Sequence, residues 1–419
     1  MNLRAAQGLW RRAPEPLRRL TAPLIRGGIE AYVRATARRG SSPTDPGQPV
    51  QVVGYFSQPH GIGASARLAV RAFEASGIDV RAVDVSGDAQ GLNLSVRLDQ
   101  PTSAAAWIFY MNPPEMIAAL GQLGPRRLLG PRYACWAWEL PRAPAQWLRD
   151  AGLIDEVWAP SRYTAQALAG ARAPVRVVPH PFFLEDYAGV RPGPRTAAFQ
   201  AVSLFDFNSS AARKNPHGTI AAFVRAFGDD PDVELTLKTQ NGAHFPRLLA
   251  ALRAAASPRV RIVDEVWPYA RIKALIAGAD VLISLHRAEG FGLTPAEAMA
   301  LGVPVLATAY SGNLDFMDEA SALLVPARQI PVIDPQQIYR GQTWADPDLE
   351  AAAQGLRRLR DDSALRARLG EAGRRRVAEL LSPRAWLDAL PETLRIAAGR
   401  AGQASTASGA HRRSPATPR

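Results

Sequence analysis

One cysteine, Cys135, is all that 419 residues contain. An internal disulfide framework is therefore excluded, and the chain fits a reducing compartment. Cys135 sits in an apolar stretch between Tyr133 and Trp136, which suits a buried structural thiol better than a nucleophile. No uninterrupted apolar run approaches the roughly 20 residues a membrane-spanning helix needs. The N-terminus also lacks the hydrophobic region of a signal peptide, so a cytoplasmic location is expected. Lysine is nearly absent: Lys214, Lys238 and Lys273 are the only three among fifty basic residues. Where arginine is the default cation, each lysine is a candidate for a specific duty. No His-x-His pair and no Asp-x-Asp spacing is expected to hold a metal, and Asp99, Asp206 and Asp264 stand apart or beside one other acid. The expectation is a site with no metal and no cofactor.

Acidic residues are scarce at the two ends, and that is where the net charge of +12 resides. Residues 1–48 hold nine Arg against Glu15, Glu30 and Asp45, giving +6, and residues 400–419 hold four Arg and no acid, giving +4. The remaining 351 residues carry +2, which argues against a nucleic-acid-binding surface. From about Leu17 to Arg39 apolar residues recur at helical spacing with arginines between them. This segment reads either as an amphipathic helix on an anionic membrane surface, peripheral on the inner face of the cell membrane, or as an unordered basic arm.

What is present is enough apolar content, 47%, to bury two domain cores. Apolar runs alternating with helical patterns predict parallel α/β sheets in both halves. In the first half, strands are expected at Val50–Phe56, Ile78–Val85, Ala106–Met111, Tyr133–Trp138, Glu156–Ala159 and Val175–Val178. In the second they are expected at Phe199–Leu204, Val233–Thr239, Val260–Val263, Asp280–Leu285, Val303–Ala307 and Ala322–Val325. The Gly- and Pro-rich stretch Ala188–Thr196 reads as the hinge. The expected organisation is a basic arm and linker (1–48), a first α/β domain (49–190), a second α/β domain (197–382), a C-terminal helix (383–399) and a disordered tail (400–419).

The most informative string runs from Ser284 to Glu297. An apolar strand ends at Glu289, the turn Gly290-Phe291-Gly292 follows, and a helix opens at Leu293-Thr294-Pro295-Ala296-Glu297. Strand end, glycine turn and helix N-terminus present free N–H groups and a positive dipole end to an anion. Thr294 and Glu297 also have the spacing of a capping box, which would give Glu297 a structural duty. A second string, Ser209-Ser210-Ala211-Ala212-Arg213-Lys214-Asn215-Pro216, places two cations at another strand–helix junction, where a diphosphate could be neutralised. Ser311-Gly312-Asn313 reads as a tight turn, offering either phosphate or sugar contacts or plain capping. In the first half, His60-Gly61-Ile62-Gly63 opens a helix after the first strand, but Ala66 replaces the third glycine of a dinucleotide fingerprint. Asp84 ends the next strand, which keeps a nicotinamide-dependent oxidoreductase open as an alternative. Trp138 and Glu139 follow the fourth strand, where they could hold a sugar.

The spacing of Glu289 and Glu297 around Gly-Phe-Gly resembles the donor site of retaining, family-4-type glycosyltransferases of bacterial polysaccharide assembly. The segment around Lys214 resembles their phosphate-binding lysine motif, although Leu204-Phe205-Asp206 stands where they often carry Gly-Arg. Trp-Glu-Leu-Pro at 138–141 looks like the first domain of a subgroup. The resemblance implies the GT-B arrangement, two Rossmann-like α/β domains facing a cleft, with 49–190 as acceptor domain, 197–382 as nucleotide-sugar donor domain and the helix 383–399 crossing back to the first. It implies transfer of a hexose from a nucleotide-diphosphate sugar to a hydroxyl of a glycan or lipid-linked acceptor. In that scheme Lys214 stabilises the leaving diphosphate, with Arg213 as second cation. Glu289 positions the donor sugar, Glu297 holds the ribose, and Gly290, Phe291, Gly292, Leu293, Ser311, Gly312 and Asn313 complete the donor site. His60, Gly61, Gly63, Trp138 and Glu139 fall on the acceptor side, and His180 and His286 are further candidates. A catalytically silent membrane-surface scaffold of the same fold is the remaining alternative.

Overall fold

Two six-stranded parallel sheets organise the chain in the computed structural model, which describes residues 14–37, 39, 47–57, 61–86, 98 and 100–395. The first sheet comprises β1 (Val50–Gly54), β2 (Val80–Asp84), β4 (Ala106–Tyr110), β6 (Arg132–Cys135), β7 (Glu156–Ala159) and β8 (Val175–Val177). Their order is β2-β1-β4-β6-β7-β8, and short β3 (Thr102–Ser103) and β5 (Leu128–Leu129) pair beside it. All five residues of β4, Ala-Trp-Ile-Phe-Tyr, are buried, as in a strand covered on both faces.

The longest helices of this half are α1 (Glu15–Thr36), α2 (Gly61–Ala75) and α3 (Pro113–Leu123). The N-terminal segment is thus a helix, and it is not free of the domain. Val33 and Ala37 are buried in the same core as Leu120 of α3, and a Cβ on Gly121 would overlap Ile29. Arg34 reaches the half-buried end of the contact and pairs with Asp150 at 3.0 Å. Part of the expected apolar stripe is therefore spent on packing. Leu17, Leu24, Ile25 and Tyr32 stay exposed. Residues 1–13 and 40–46 lie outside the described residues.

The short helix α4 (Arg162–Ala167) follows β7, and the second sheet begins after residues 188–196, which form neither helix nor strand. It comprises β9 (Phe199–Asp206), β10 (Val233–Gln240), β11 (Val260–Asp264), β12 (Val281–Ser284), β13 (Val305–Thr308) and β14 (Leu323–Val325), in the order β11-β10-β9-β12-β13-β14. The helices that matter for the site are α5 (Ala211–Lys214), α6 (Pro216–Phe227), α7 (Tyr269–Ala277) and α8 (Leu293–Ala300). Then come an antiparallel hairpin, β15 (Ala327–Pro331) with β16 (Thr343–Pro347), and the helices α9 (Leu349–Asp361), α10 (Ser363–Leu380) and α11 (Pro383–Ala389). The hairpin was not anticipated, because prolines at 326, 331 and 335 break its sequence pattern.

The chain ends by returning to the first half. Trp386 of α11 meets Phe73 of α2 edge-on, 4.9 Å between ring centroids, and Leu387, Leu390 and Leu394 join the same core. The expected helix to Ala398 is shorter: α11 stops at Ala389, just before Pro391, and a further turn covers residues 392–395. The expected tail, 400–419, lies outside the described residues.

Candidate active site

Both conspicuous sequence strings fall at carboxyl ends of strands in the second sheet, where open α/β sheets place their ligands. β12 leads into the turn that carries Glu289, and α8 begins after Gly292, whose φ of 104° requires glycine. Gly292 is also the N-cap, and no side chain caps the helix. The capping-box expectation for Thr294 and Glu297 is thereby overturned, since Thr294 is already inside the first turn. Among the described residues no protein acceptor takes the N–H of Phe291, Gly292, Leu293 or Thr294. This helix end remains open to an anion.

Lys214 comes to the same place from α5. The loop that carries it is held by two left-handed residues, Ser210 (φ 64°) and Asn215 (φ 53°). Ser210 caps α5 through Arg213 N, and Asn215 caps α6 through Gly218 N while its amide donates to Leu285 O at 2.9 Å. The Lys214 ammonium pairs directly with the Glu289 carboxylate, and Arg213 Nη1 lies 3.2 Å from its other oxygen. Burial alone would raise the Glu289 pKa, but Lys214 and Arg213, aided by His286, outweigh it and hold the acid near its charged form at about 2. Burial lowers the Lys214 pKa, and Glu289 opposes that shift. The other two lysines serve the backbone: Lys238 donates to Thr239 O and Lys273 to Asp186 O, each at 2.7 Å.

Arg213 is placed differently from the expectation of a second diphosphate cation. It is 3% exposed, and its guanidinium donates to Ala288 O at 2.8 Å and Ser209 O at 3.0 Å. It supports Glu289 from behind, with Glu139 of the first half 4.0 Å away.

The Ser311–Asn313 turn buttresses Glu289 too. Ser311 Oγ accepts from Glu289 N at 2.8 Å, and Gly312 N donates to Glu289 O at 3.0 Å. A Cβ on Gly312 would overlap the Gly290 carbonyl. Asn313 is fully buried, bonded to His286 Nε2 at 3.0 Å and to Thr308 O at 3.1 Å, so its side chain is structural. His286 is likewise enclosed, with Ser284 Oγ on Nδ1 at 2.9 Å.

Glu297 points to a separate pair of hydroxyls, whose meeting the sequence does not reveal. Tyr269 at the start of α7 donates to its carboxylate at 2.6 Å, and Tyr187 Oη is 3.1 Å from Tyr269 Oη. Burial raises the Glu297 pKa to about 7, against the opposing hydrogen bond from Tyr269 and the charge of Lys273. Tyr269 opens a helix directly after Trp267-Pro268, which was the available signal.

The first half covers this site closely. Ser161 Oγ and Thr164 Oγ1 donate to Gly290 O at 2.6 and 3.1 Å, and Arg162 pairs with Asp315 at 3.2 Å. His180 packs edge-on against Phe291, and burial lowers its pKa to about 4, which keeps it neutral. Trp138 and Glu139 lie where the two halves meet, both against Tyr339. Glu139 accepts a hydrogen bond from Tyr339, on the loop joining β15 and β16, at 2.9 Å. Gly61 and Gly63 open α2 at the carboxyl end of β1, and His60 lies outside the described residues. Asp84, the residue that would take a dinucleotide ribose, is engaged by Phe56 N at 3.2 Å and Ser86 N at 2.9 Å.

Among the described residues no group of three or more His, Cys, Asp or Glu is placed to hold a metal ion. Against the expectation of no Asp-x-Asp spacing, the sequence holds two, Asp230/Asp232 and Asp346/Asp348: Asp230 pairs with Arg360 at 2.9 Å, Asp346 lies 3.5 Å from Arg287, and Asp348 caps α9. A cavity of about 600 Å³ opens elsewhere, against β9–β11, lined by Arg259, Arg261 and Trp267 among others and by none of the site residues above.

Residues 208–376, which include Lys214, Glu289 and Glu297, match the family model described as glycosyl transferases group 1. No curated protein matches the sequence. Among solved structures, Anabaena HepE in complex with UDP and glucose is similar at TM-score 0.58 and 14% identity, covering 83% of this chain and 99% of that one. Sucrose-phosphate synthase from Thermosynechococcus elongatus gives 0.60 and 17%, covering 86% and 100%. S. aureus TarM gives 0.51 and 12% over 69% of this chain, which spans only 55% of TarM's length. At these identities the likeness is one of fold: two Rossmann-like α/β domains in the GT-B arrangement.

Proposed function

We propose that the protein is a glycosyltransferase that moves a hexose from a nucleoside-diphosphate sugar to a glycan or lipid-linked hydroxyl, with retention and without a metal. The observation that carries this reading is the Lys214–Glu289 ion pair beside the open N–H groups of α8. A diphosphate at that helix end would take the Lys214 ammonium as its counterion and the free N–H groups as donors. Glu289, released from the lysine but still held by Arg213, would accept from donor-sugar hydroxyls, and Glu297 would accept from the ribose. The anomeric C–O bond breaks toward the diphosphate, the acceptor oxygen bonds to the same face, and its proton passes to the departing phosphate oxygen. HepE, of the same fold, is known in complex with UDP-glucose, which favours a nucleotide-sugar donor here. The exposed Leu17, Leu24, Ile25 and Tyr32 on α1, in a strongly basic segment, favour attachment to an anionic membrane surface, with the protein on its cytoplasmic side.

The test is transfer from a panel of nucleoside-diphosphate sugars, with and without EDTA. Wild-type turnover should survive EDTA. Lys214→Ala should lose on the order of a hundredfold or more in rate, as removal of one charge-stabilising group does. Near-normal turnover in Lys214→Ala would take the lysine out of the mechanism. Activity lost to EDTA and restored by Mn²⁺ would overturn the metal-free reading.

A further inference from the structure

Glu139 and Tyr339 are 200 residues apart, on opposite halves, yet they meet at the cleft beside the Arg213–Glu289 pair. Tyr339 is 7% exposed, and its loop is fixed on both sides. On its own half, Asp334 accepts from the N–H of Gln336, Ile338 and Tyr339, and Gln336 donates to Phe207 O at 2.7 Å while accepting from Ala211 N at 2.6 Å. The loop is therefore joined to the turn that leads into Arg213 and Lys214. Across the cleft, Gln342 and the backbone of Arg142 exchange two hydrogen bonds, both 2.8 Å.

This anchoring sets the direction of one carboxylate. Tyr339 Oη occupies Glu139 Oε2 at 2.9 Å. Oε1 is 4.0 Å from Arg213, beyond hydrogen-bond distance, and no described residue donates to it. A carboxylate oxygen with a fixed orientation and spare lone pairs is thus left at the reacting end of the cleft. Beside it stands an aromatic wall: Trp138 lies edge-on to Tyr339 at 5.8 Å and to Trp147 at 5.0 Å, with its indole N–H tied to Arg142 O at 2.9 Å. A flat ring held in place next to a hydrogen-bond acceptor suits the apolar face and the adjacent hydroxyl of a pyranose.

We propose that Glu139 Oε1 receives a hydroxyl next to the reacting one on a pyranose acceptor that lies against Trp138, and that Tyr339 is the positioning residue that aims this carboxylate. The assignment rests on the transferase reading above. By accepting from that neighbouring hydroxyl, Glu139 fixes the acceptor ring, and the reacting hydroxyl keeps its own hydrogen for the departing phosphate oxygen. The hairpin delivers Tyr339 from the donor-binding half, so the acceptor position is assembled by both halves together.

Tyr339→Phe removes one oxygen and keeps the ring. In steady-state transfer it should raise the acceptor KM, or lower kcat/KM for acceptor, about tenfold, the usual scale for one hydrogen bond to a charged group. Donor KM and the affinity for the free nucleoside diphosphate by calorimetry should stay within twofold. The share of donor lost to water should rise, because water replaces a poorly held acceptor. Glu139→Gln, which keeps shape, should show the same acceptor-specific pattern. A Tyr339→Phe protein with unchanged acceptor kinetics, or with donor and acceptor KM rising together alongside a lower Tm, would overturn the assignment and leave the pair as a structural clamp. A wild-type protein that neither binds nor hydrolyses any nucleoside-diphosphate sugar would instead overturn the transferase reading itself, and this assignment with it.

Discussion

Glu297 and Glu289 are eight residues apart, and their surroundings push them in opposite directions. Glu289 meets two cations and is held charged, whereas Glu297 meets the hydroxyl of half-exposed Tyr269 with no cation among the described residues paired to it, and desolvation raises its pKa to about 7. For Glu297 the folded state binds its proton more tightly than the unfolded chain does. Its contribution to stability is therefore full below the ordinary carboxylate range and is lost as pH rises through 7. Ligand binding has the opposite sign if the charged carboxylate accepts from the ribose. Nucleoside-diphosphate affinity should then increase from pH 6 to pH 8, with a proton released on binding. Calorimetry in two buffers of different ionisation enthalpy reads both quantities. In Glu297→Gln the pH dependence should flatten; a wild-type affinity flat across that range would remove Glu297 from the ribose. Only the acids themselves were legible in the sequence. Tyr187 and Tyr269, which determine how Glu297 behaves, are 82 residues apart and meet through the fold alone.

At the scale of elements, α1 shows how a sequence pattern can be read correctly and assigned too narrowly. Its helical apolar spacing is present, but Val33 and Ala37 belong to the core shared with α3, while Leu17, Leu24, Ile25 and Tyr32 face outward. One helix face thus serves packing and another is left for a surface, a split that the periodicity of a single segment does not encode. Removing residues 1–48 would consequently uncover α3, and a loss of membrane binding after such a deletion would be ambiguous. Leu24→Asn combined with Ile25→Asn is the cleaner probe. It should weaken sedimentation with anionic vesicles, most visibly at low salt, and leave Tm unchanged. Gly121→Ala is the complement. Its methyl would overlap Ile29 and should cost about 1–3 kcal/mol by denaturant melting, as overpacking does. Equal vesicle binding by the Leu24/Ile25 variant and wild type would argue against the membrane reading. The strands were more legible than this helix, because a strand buried on both faces shows itself as a plain apolar run, as Ala-Trp-Ile-Phe-Tyr does in β4. The β15–β16 hairpin had no such run and escaped notice, and Tyr339 with it.

On the scale of the whole molecule, the described residues cross between the halves twice, and the crossings touch: Phe182 N donates to Leu381 O at 2.6 Å. The first precedes residues 188–196, and the second leads from α10 into α11, which is sealed into the first core by Trp386. Two covalent connections side by side behave like the pin of a door. Rotation about the line through them is permitted, while sliding and twisting of one half against the other would stretch one connection or the other. The contacts far from that line must then act as the latch: Ser161 on Gly290, Arg162 on Asp315, and Glu139 on Tyr339. Entry of any ligand would swing these apart together. Replacing Ser161 and Arg162 by Ala should therefore enlarge the radius of gyration in solution scattering of the free protein, and a saturating donor-site ligand should restore the wild-type value. An unchanged radius would mean that the pin, not the latch, holds the halves closed.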